Sequence, residues 1–257
     1  RKRINLLIPS RILLLATVAC ALCFIFISRN AQLLKKHKAS SESLVVYDFV
    51  NGMKDPDHLT YINPSSGKII ERENPYSIDT AHRNGLLHSG TWIWISDTDG
   101  KLMVLERSSH VVTCPNSYSL LGEHSQPNET SEETMKRAIR EELGSEVLKH
   151  ILTFQHLPGS PVFYFRDYGK ENENRVDRQL TYLWWVQMDS LGDQLPLKMD
   201  AEVKNHEWIT TDTLESWLKE AHGNLESTGR VGIRICHETI LTLWELVLKK
   251  VQSISHG

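Results

Sequence analysis

Glu129, Arg137, Glu141 and Glu142 lie close together in a segment patterned as a helix. Arg137 falls one helical turn before Glu141, a spacing at which the two pair and one carboxylate is oriented. Glu142, together with Glu129 just ahead of the helix start, then borders an acidic, oxygen-rich pocket. Such a pocket suits Mg²⁺, a hard cation that uses few carboxylates, keeps several waters and completes its shell with substrate phosphates. An acidic helix end by itself is most often a solvated face, so the setting of these residues decides between the two readings.

That setting is built from short elements. Thr130-Ser131-Glu132-Glu133 is a capping-box pattern, in which the Thr hydroxyl and the Glu three residues on satisfy orphan N–H groups reciprocally. Met135, Ile139 and Leu143 follow at i, i+4 spacing and Gly144 is a suitable stop, which predicts a helix over 131–143. Upstream, GTWIWIS (90–96), the turn Asp97-Thr98-Asp99-Gly100 and KLMVLERS (101–108) predict a hairpin, since Gly supplies the positive φ a tight turn demands. Strands are expected in SLVVYDFV (43–50), PVFYFRDY (161–168) and QLTYLWWVQM (179–188), and amphipathic helices over 211–220, capped by Thr211 or Asp212, and over 237–251. Strands with a central helix and further helices indicate an α/β layered domain. Trp184-Trp185 either stacks a nucleobase or isoprenoid on one face or, more simply, packs one ring into the core and one under a helix.

The spacing Gly122-Glu123-His124, Glu129, then Arg137-Ala138-Ile139-Arg140-Glu141-Glu142-Leu143-Gly144 resembles the Nudix box, G-x5-E-x7-R-E-U-x-E-E-x-G-U, where U is a bulky aliphatic residue. Glu129, Arg137, Ile139, Glu141, Glu142 and Gly144 match it. Glu123 stands in place of the first Gly, Ala138 in place of the Glu after Arg, and Ser145 at the last aliphatic position. Over residues 60–250 the chain further resembles the isopentenyl-diphosphate isomerase-like branch of this superfamily. The similarity rests on Glu71-Arg72, on Ala81-His82-Arg83-Asn84-Gly85-Leu86-Leu87-His88 leading into TWIWI, and on Glu202-Val203 followed by Glu207-Trp208-Ile209.

This resemblance implies a Nudix α/β/α sandwich with a mixed central sheet, and metal-assisted cleavage of a diphosphate. It implies Glu142 as the principal ligand of Mg²⁺ or Mn²⁺, with Glu141 and Glu129 in the same site and Arg137 among the catalytic residues. The Glu absent at Ala138 belongs to that site in the family, one turn before Glu142, and Glu202 is the candidate replacement base. Arg107 and His124 are the substrate-binding candidates. By similarity to the isomerases, His82, His88 and His124 are weaker metal candidates, imidazoles suiting a transition metal. The isomerase reaction needs a protonating Cys two residues before the loop His, where this chain has Gly122; Cys114 is ten residues from His124.

Charge and hydropathy place the rest of the chain. Residues 1–39 carry eight of the 29 Lys and Arg and no acid, so the remainder sets 21 bases against 32 acids. A body with a net charge of −11 does not suit nucleic acid, which needs clustered Lys and Arg. The uncharged run at 12–27, about 24 Å long as a helix, is slightly short of a hydrocarbon core and is extended by snorkelling Arg11 and Arg29. No small-x-small cleavage site follows it, so residues 1–29 read as a basic N-terminus and a single transmembrane anchor. Residues 30–45 then read as a polar stalk and 46–257 as the Nudix domain. An endoplasmic reticulum or Golgi membrane is expected rather than the plasma membrane, with the orientation open because bases flank both sides. Cys20 and Cys23 lie in the span, and Cys114 and Cys236 read as two buried thiols, one bridge being possible but not implied. Asn128-Glu129-Thr130 is an N-glycosylation sequon inside the box, where a glycan is expected to crowd the site.

Two functions follow. One is Mg²⁺-dependent cleavage of a nucleoside diphosphate derivative or isoprenyl diphosphate at a membrane. The other is a degenerate module that binds a diphosphate ligand or a protein without turnover.

Overall fold

The computed structural model describes residues 43–50, 54–57, 59–111, 113–170, 173–226 and 235–236. Its main strands and helices are β1 (Ser43–Leu44), β2 (Val46–Phe49), β3 (Ile69–Glu71), β4 (Tyr76–Ser77), α1 (Ile78–Arg83), β5 (Leu87–Ser96), β6 (Leu102–Arg107), β7 (Tyr118–Ser119) and β8 (Leu121–His124). These are followed by α2 (Ser131–Leu143), β9 (Ile151–His156), β10 (Val162–Asp167), β11 (Val176–Met188), β12 (Val203–Ile209) and α3 (Thr211–Glu226).

β5 is the centre of the sheet, and nine of its ten residues are buried, as expected of a strand covered on both faces. It runs parallel to β11 from the His88–Gln179 pair to the Ser96–Gln187 pair. β11 in turn carries β10 and β9 antiparallel, and the other edge of β5 is shared by β2, β8 and β6, also antiparallel. The sheet is therefore mixed. Of the expected hairpin only the Ser96–Leu102 pair forms across β5 and β6, because β8 occupies β5 at Gly90–Ile93 and β6 runs instead against β12. The turn itself is as expected: Gly100 has φ 74°, and Asp97 Oδ1 accepts from the Asp99 and Lys101 amides.

Side-chain alternation sends neighbouring strand residues to opposite faces. Ile93, Ile95, Trp184 and Val186 pack with Met135, Ala138, Ile139 and Leu143 of α2. Trp94, Leu183 and Trp185 pack with Leu214 and Leu218 of α3. The two adjacent tryptophans are thus separated by the sheet and both buried, which leaves neither as a stacking platform. The capping box at Thr130 and Glu133 is formed, and α2 spans the residues its periodicity predicts.

Two points differ from the sequence reading. Leu44 and Val45 are buried and β1 pairs with β4, so the folded unit takes in the last residues of the stretch read as stalk. Cys114 and Cys236 form a disulfide rather than two thiols. Cys236 reaches its partner because its amide donates to the Tyr118 carbonyl beside β7. The apolar run at 12–27 and the helix expected at 237–251 lie outside the described residues; among the described residues no helix is long and apolar enough to cross a membrane.

Candidate active site

Arg137 organises the loop that leads into α2. Helical side chains lean toward the N-terminus of their helix, and Arg137 accordingly reaches back to the loop more than forward to Glu141. Its Nε donates to Glu129 Oε1 at 2.7 Å, and its Nη2 donates to the His124 carbonyl at 2.6 Å and Glu129 Oε2 at 3.0 Å. Glu123 lies 3.2 Å away and Glu141 3.7 Å, so the pair expected with Glu141 is the loosest of its contacts. Glu129 also accepts from the Gln126 amide and the Thr134 hydroxyl. Burial pushes its carboxyl up, but Arg137 and these donors hold it below the usual range. Both its oxygens accept from protein donors, so Glu129 ties the loop to the helix. Glu123, a departure from the box, acquires a use here as a further partner of Arg137.

At the other end of α2 a cleft is lined by Arg107 and Leu105 of β6, Ser119 to Gly122, Glu142, Glu202 and Val203. Backbone hydrogen bonds explain how such distant residues meet. The Lys198 and Asp200 amides donate to the Leu143 and Glu142 carbonyls, fastening the segment before β12 to the end of α2. The Ser108 amide donates to the Glu202 carbonyl, fastening Glu202 to the end of β6. Arg107 is held by Thr113, whose carbonyl and hydroxyl accept from its Nε and Nη2. Burial lowers the Arg107 pKa, while Glu202 and Glu142 oppose that shift by their charge.

A second cluster shares strand β8 with this cleft. His124 is two residues from Gly122 on β8 and on the same face, about 7 Å along the strand. Its ring lies with those of His82, on α1, and His88, on β5, at centroid separations of 5.0 to 5.2 Å. Asp177 of β11 completes the group, and one ligand atom from each of the four lies within 4.8 Å of the others. His88 Nε2 is 3.3 Å and His82 Nε2 4.0 Å from Asp177 Oδ1. All three atoms are buried without a hydrogen-bond partner. His88 Nδ1 donates to the Leu86 carbonyl at 2.9 Å, the tautomer that turns a lone pair on Nε2 toward Asp177. Burial pushes the His82 pKa down to about 4 against the opposing charge of Asp177, and pushes His124 well below its ordinary value. Asp177, raised by burial, is nevertheless held low by His88, His82 and His124. Three imidazoles and one carboxylate, with orphaned atoms facing one point, fit a single transition-metal ion.

Sequence reasoning brought His82, His88 and His124 together only by resemblance and did not include Asp177. The signal available was the alternation Asp177, Gln179, Thr181 at the start of β11, a polar face on a strand whose continuation is apolar.

Comparison with known proteins adds the following. The family model of the NUDIX domain matches residues 86–227. A solved protein of Deinococcus radiodurans is 18% identical, with a TM-score of 0.43, covering 74% of this chain and 97% of that one. The NUDIX domain of Shewanella oneidensis NrtR, solved with ADP ribose, is 13% identical with a TM-score of 0.41, covering 64% and 87%. The MutT protein of Methanosarcina mazei Go1 is 15% identical with a TM-score of 0.38, covering 51% and 81%. No curated protein matches the chain.

Proposed function

The chain belongs to the NUDIX domain family, and from that premise we propose that it is a metal-dependent hydrolase of a diphosphate linkage in a small molecule. The observation that carries this reading is the meeting of Glu142, Glu202 and Arg107 in one cleft although they come from three distant parts of the chain.

Each has a distinct task. Arg107, fixed along one edge by Thr113, pairs with phosphate oxygens and orients the diphosphate. Glu202, held at the end of β6, accepts a proton from the attacking water. Glu142, with Glu141 behind it, would hold Mg²⁺ or Mn²⁺. When bound, that ion neutralises the phosphate oxygens as charge develops on them. Arg137 and Glu129 act at a distance by fixing the loop and α2 against each other. The His82, His88, His124 and Asp177 group would hold a second, transition-metal ion. We further propose a nucleoside diphosphate derivative or isoprenyl diphosphate as substrate, met at the membrane that residues 12–28 would enter. Isomerisation finds no acid here, since Gly122 lines the cleft where a thiol is needed and Cys114 is bridged.

Ala138 favours a second reading. It is fully buried among apolar side chains where the box has Glu, so the cleft has one carboxylate fewer than the family pattern. A module that binds a diphosphate without turnover would keep everything else described.

The test is product release by the full chain in detergent with Mg²⁺ or Mn²⁺. The panel comprises nucleoside diphosphate sugars, ADP-ribose, nucleoside triphosphates and isoprenyl diphosphates. Turnover is expected, with Glu202→Gln slowing it about 10²–10⁴-fold, the usual worth of a general base. Binding of a panel member without any turnover would select the second reading.

A further inference from the structure

The disulfide and the sequon, which the proposed reaction leaves unused, point the same way. Cys114 and Cys236 are bridged, with Cα atoms 5.4 Å apart, inside the usual range for a disulfide. Cys20 and Cys23 fall in the apolar run, so these two are the only cysteines of the body. The Cys236 amide donates to the Tyr118 carbonyl at 2.7 Å and Ile235 bridges Tyr118, so the backbone itself brings the two together. Bridges of this kind form and persist in oxidising compartments and are rare in reducing ones. Independently, Asn128-Glu129-Thr130 is the chain's single N-x-S/T sequon without Pro at its middle position. Asn128 is exposed in the turn before α2, at φ 66°, while Glu129 beside it points inward to Arg137.

We propose that the folded body lies in an oxidising, luminal compartment and that Asn128 is N-glycosylated there. The anticipated conflict between a glycan and the site does not arise at the cleft. Asn128 precedes the first turn of α2 whereas Glu142 is in the last, about 16 Å further along the helix axis. The sequon is read on the extended chain, before Thr130 is committed to capping α2. Asn128 Nδ2 attacks the anomeric carbon of a lipid-linked oligosaccharide; the C1–Nδ2 bond forms, the C1–O bond to the lipid pyrophosphate breaks, and one amide proton is released. The bridge forms as two thiols give two electrons and two protons to a disulfide-donor oxidoreductase, which leaves as a dithiol.

The experiment is expression of the full chain in a eukaryotic secretory cell, with denaturing gels before and after peptide-N-glycosidase. Peptide mapping after alkylation under non-reducing conditions is run in parallel. The wild type is expected to lose one glycan's mobility shift on digestion and to yield a linked Cys114–Cys236 peptide. Asn128→Gln is expected to comigrate with the digested wild type, and Thr130→Ser, which keeps both sequon and cap, to retain the shift. Denaturing mobility does not depend on whether a variant folds. An undigestible, unshifted wild type, or Cys114 and Cys236 both recovered as alkylated thiols, would overturn the proposal.

Discussion

Replacing Arg137 by Met removes the cation that holds the loop before α2 to the helix, while keeping most of the side chain's apolar volume. The Arg137 side chain is 6% exposed, and Glu129, Glu123 and Glu141 around it are 18%, 15% and 30% exposed. Breaking a buried pair by deleting one partner costs about 3–5 kcal/mol, because the other charge stays buried without compensation. Here three carboxylates lose their common cation and the His124 carbonyl loses a donor, but each carboxylate retains some access to water. The lower end, about 3 kcal/mol, is therefore expected. With a urea m-value of about 1–3 kcal/mol/M, the midpoint should fall by about 1–3 M at unchanged m. Adding Glu129→Gln to Arg137→Met should recover part of the loss, a coupling of about 0.5–3 kcal/mol for groups in one network. A midpoint shift smaller than about 0.3 M, or a double variant no better than the single, would refute the assignment of Arg137 as the organiser of the loop.

Other consequences can be measured directly. Purified protein should carry one equivalent of a transition metal by elemental analysis, and His88→Ala or Asp177→Ala should lose it; wild type that takes up no Mn²⁺ or Zn²⁺ would dispose of the site. In metal-free protein, the His82 pKa of about 4 lies below the ordinary 6.5, so the unfolded chain takes up its proton first. Stability from this group is then complete above pH 6.5 and is lost as pH falls toward about 4, and His82→Gln should lose less stability than wild type between pH 7 and 4.5. A Cβ on Gly90 would lie 2.4 Å from Gln179 Nε2 and 2.7 Å from the Glu123 carbonyl, so Gly90→Ala should destabilise by about 1–3 kcal/mol, read as a lower thermal midpoint. Reduction of Cys114–Cys236, which are separated by 122 positions, should lower stability by up to about 5 kcal/mol, provided the reduced chain keeps its native packing. An unchanged midpoint in reductant would contradict that expectation.

What the sequence disclosed was local. The capping box, the i, i+4 apolar spacing and Gly144 lie within one segment, and α2 has the bounds they predict. The Trp184-Trp185 pair follows from strand alternation alone, with one ring on each buried face. The hairpin is legible at its turn, where Ser96 pairs with Leu102, but not beyond it, because β6 also pairs with β12 and β7, whose competition for its edges is invisible in a two-strand reading. Arg137 illustrates the same limit: the i, i+4 rule finds Glu141, whereas loop closure brings Glu129 and Glu123 nearer. Asp177 had no motif around it, and it joins the histidines only because β11 lies parallel to β5, with the Gln179–His88 pair setting their register. The disulfide was undetermined for a like reason, since nothing in the spacing of Cys114 and Cys236 says that residue 236 returns to β7.

The claim on which the functional account turns is that the Glu142–Glu202–Arg107 cleft hydrolyses a diphosphate rather than merely holding one. The most direct measurement is turnover in ¹⁸O-labelled water, with the substrate that the panel identifies and mass analysis of the phosphorylated products. The account predicts one labelled oxygen in the phosphoryl group of one product from wild type, and no labelled product from Glu142→Gln at the same metal concentration. Substrate recovered intact and unlabelled from saturated wild type, or labelling undiminished in Glu142→Gln, would contradict it.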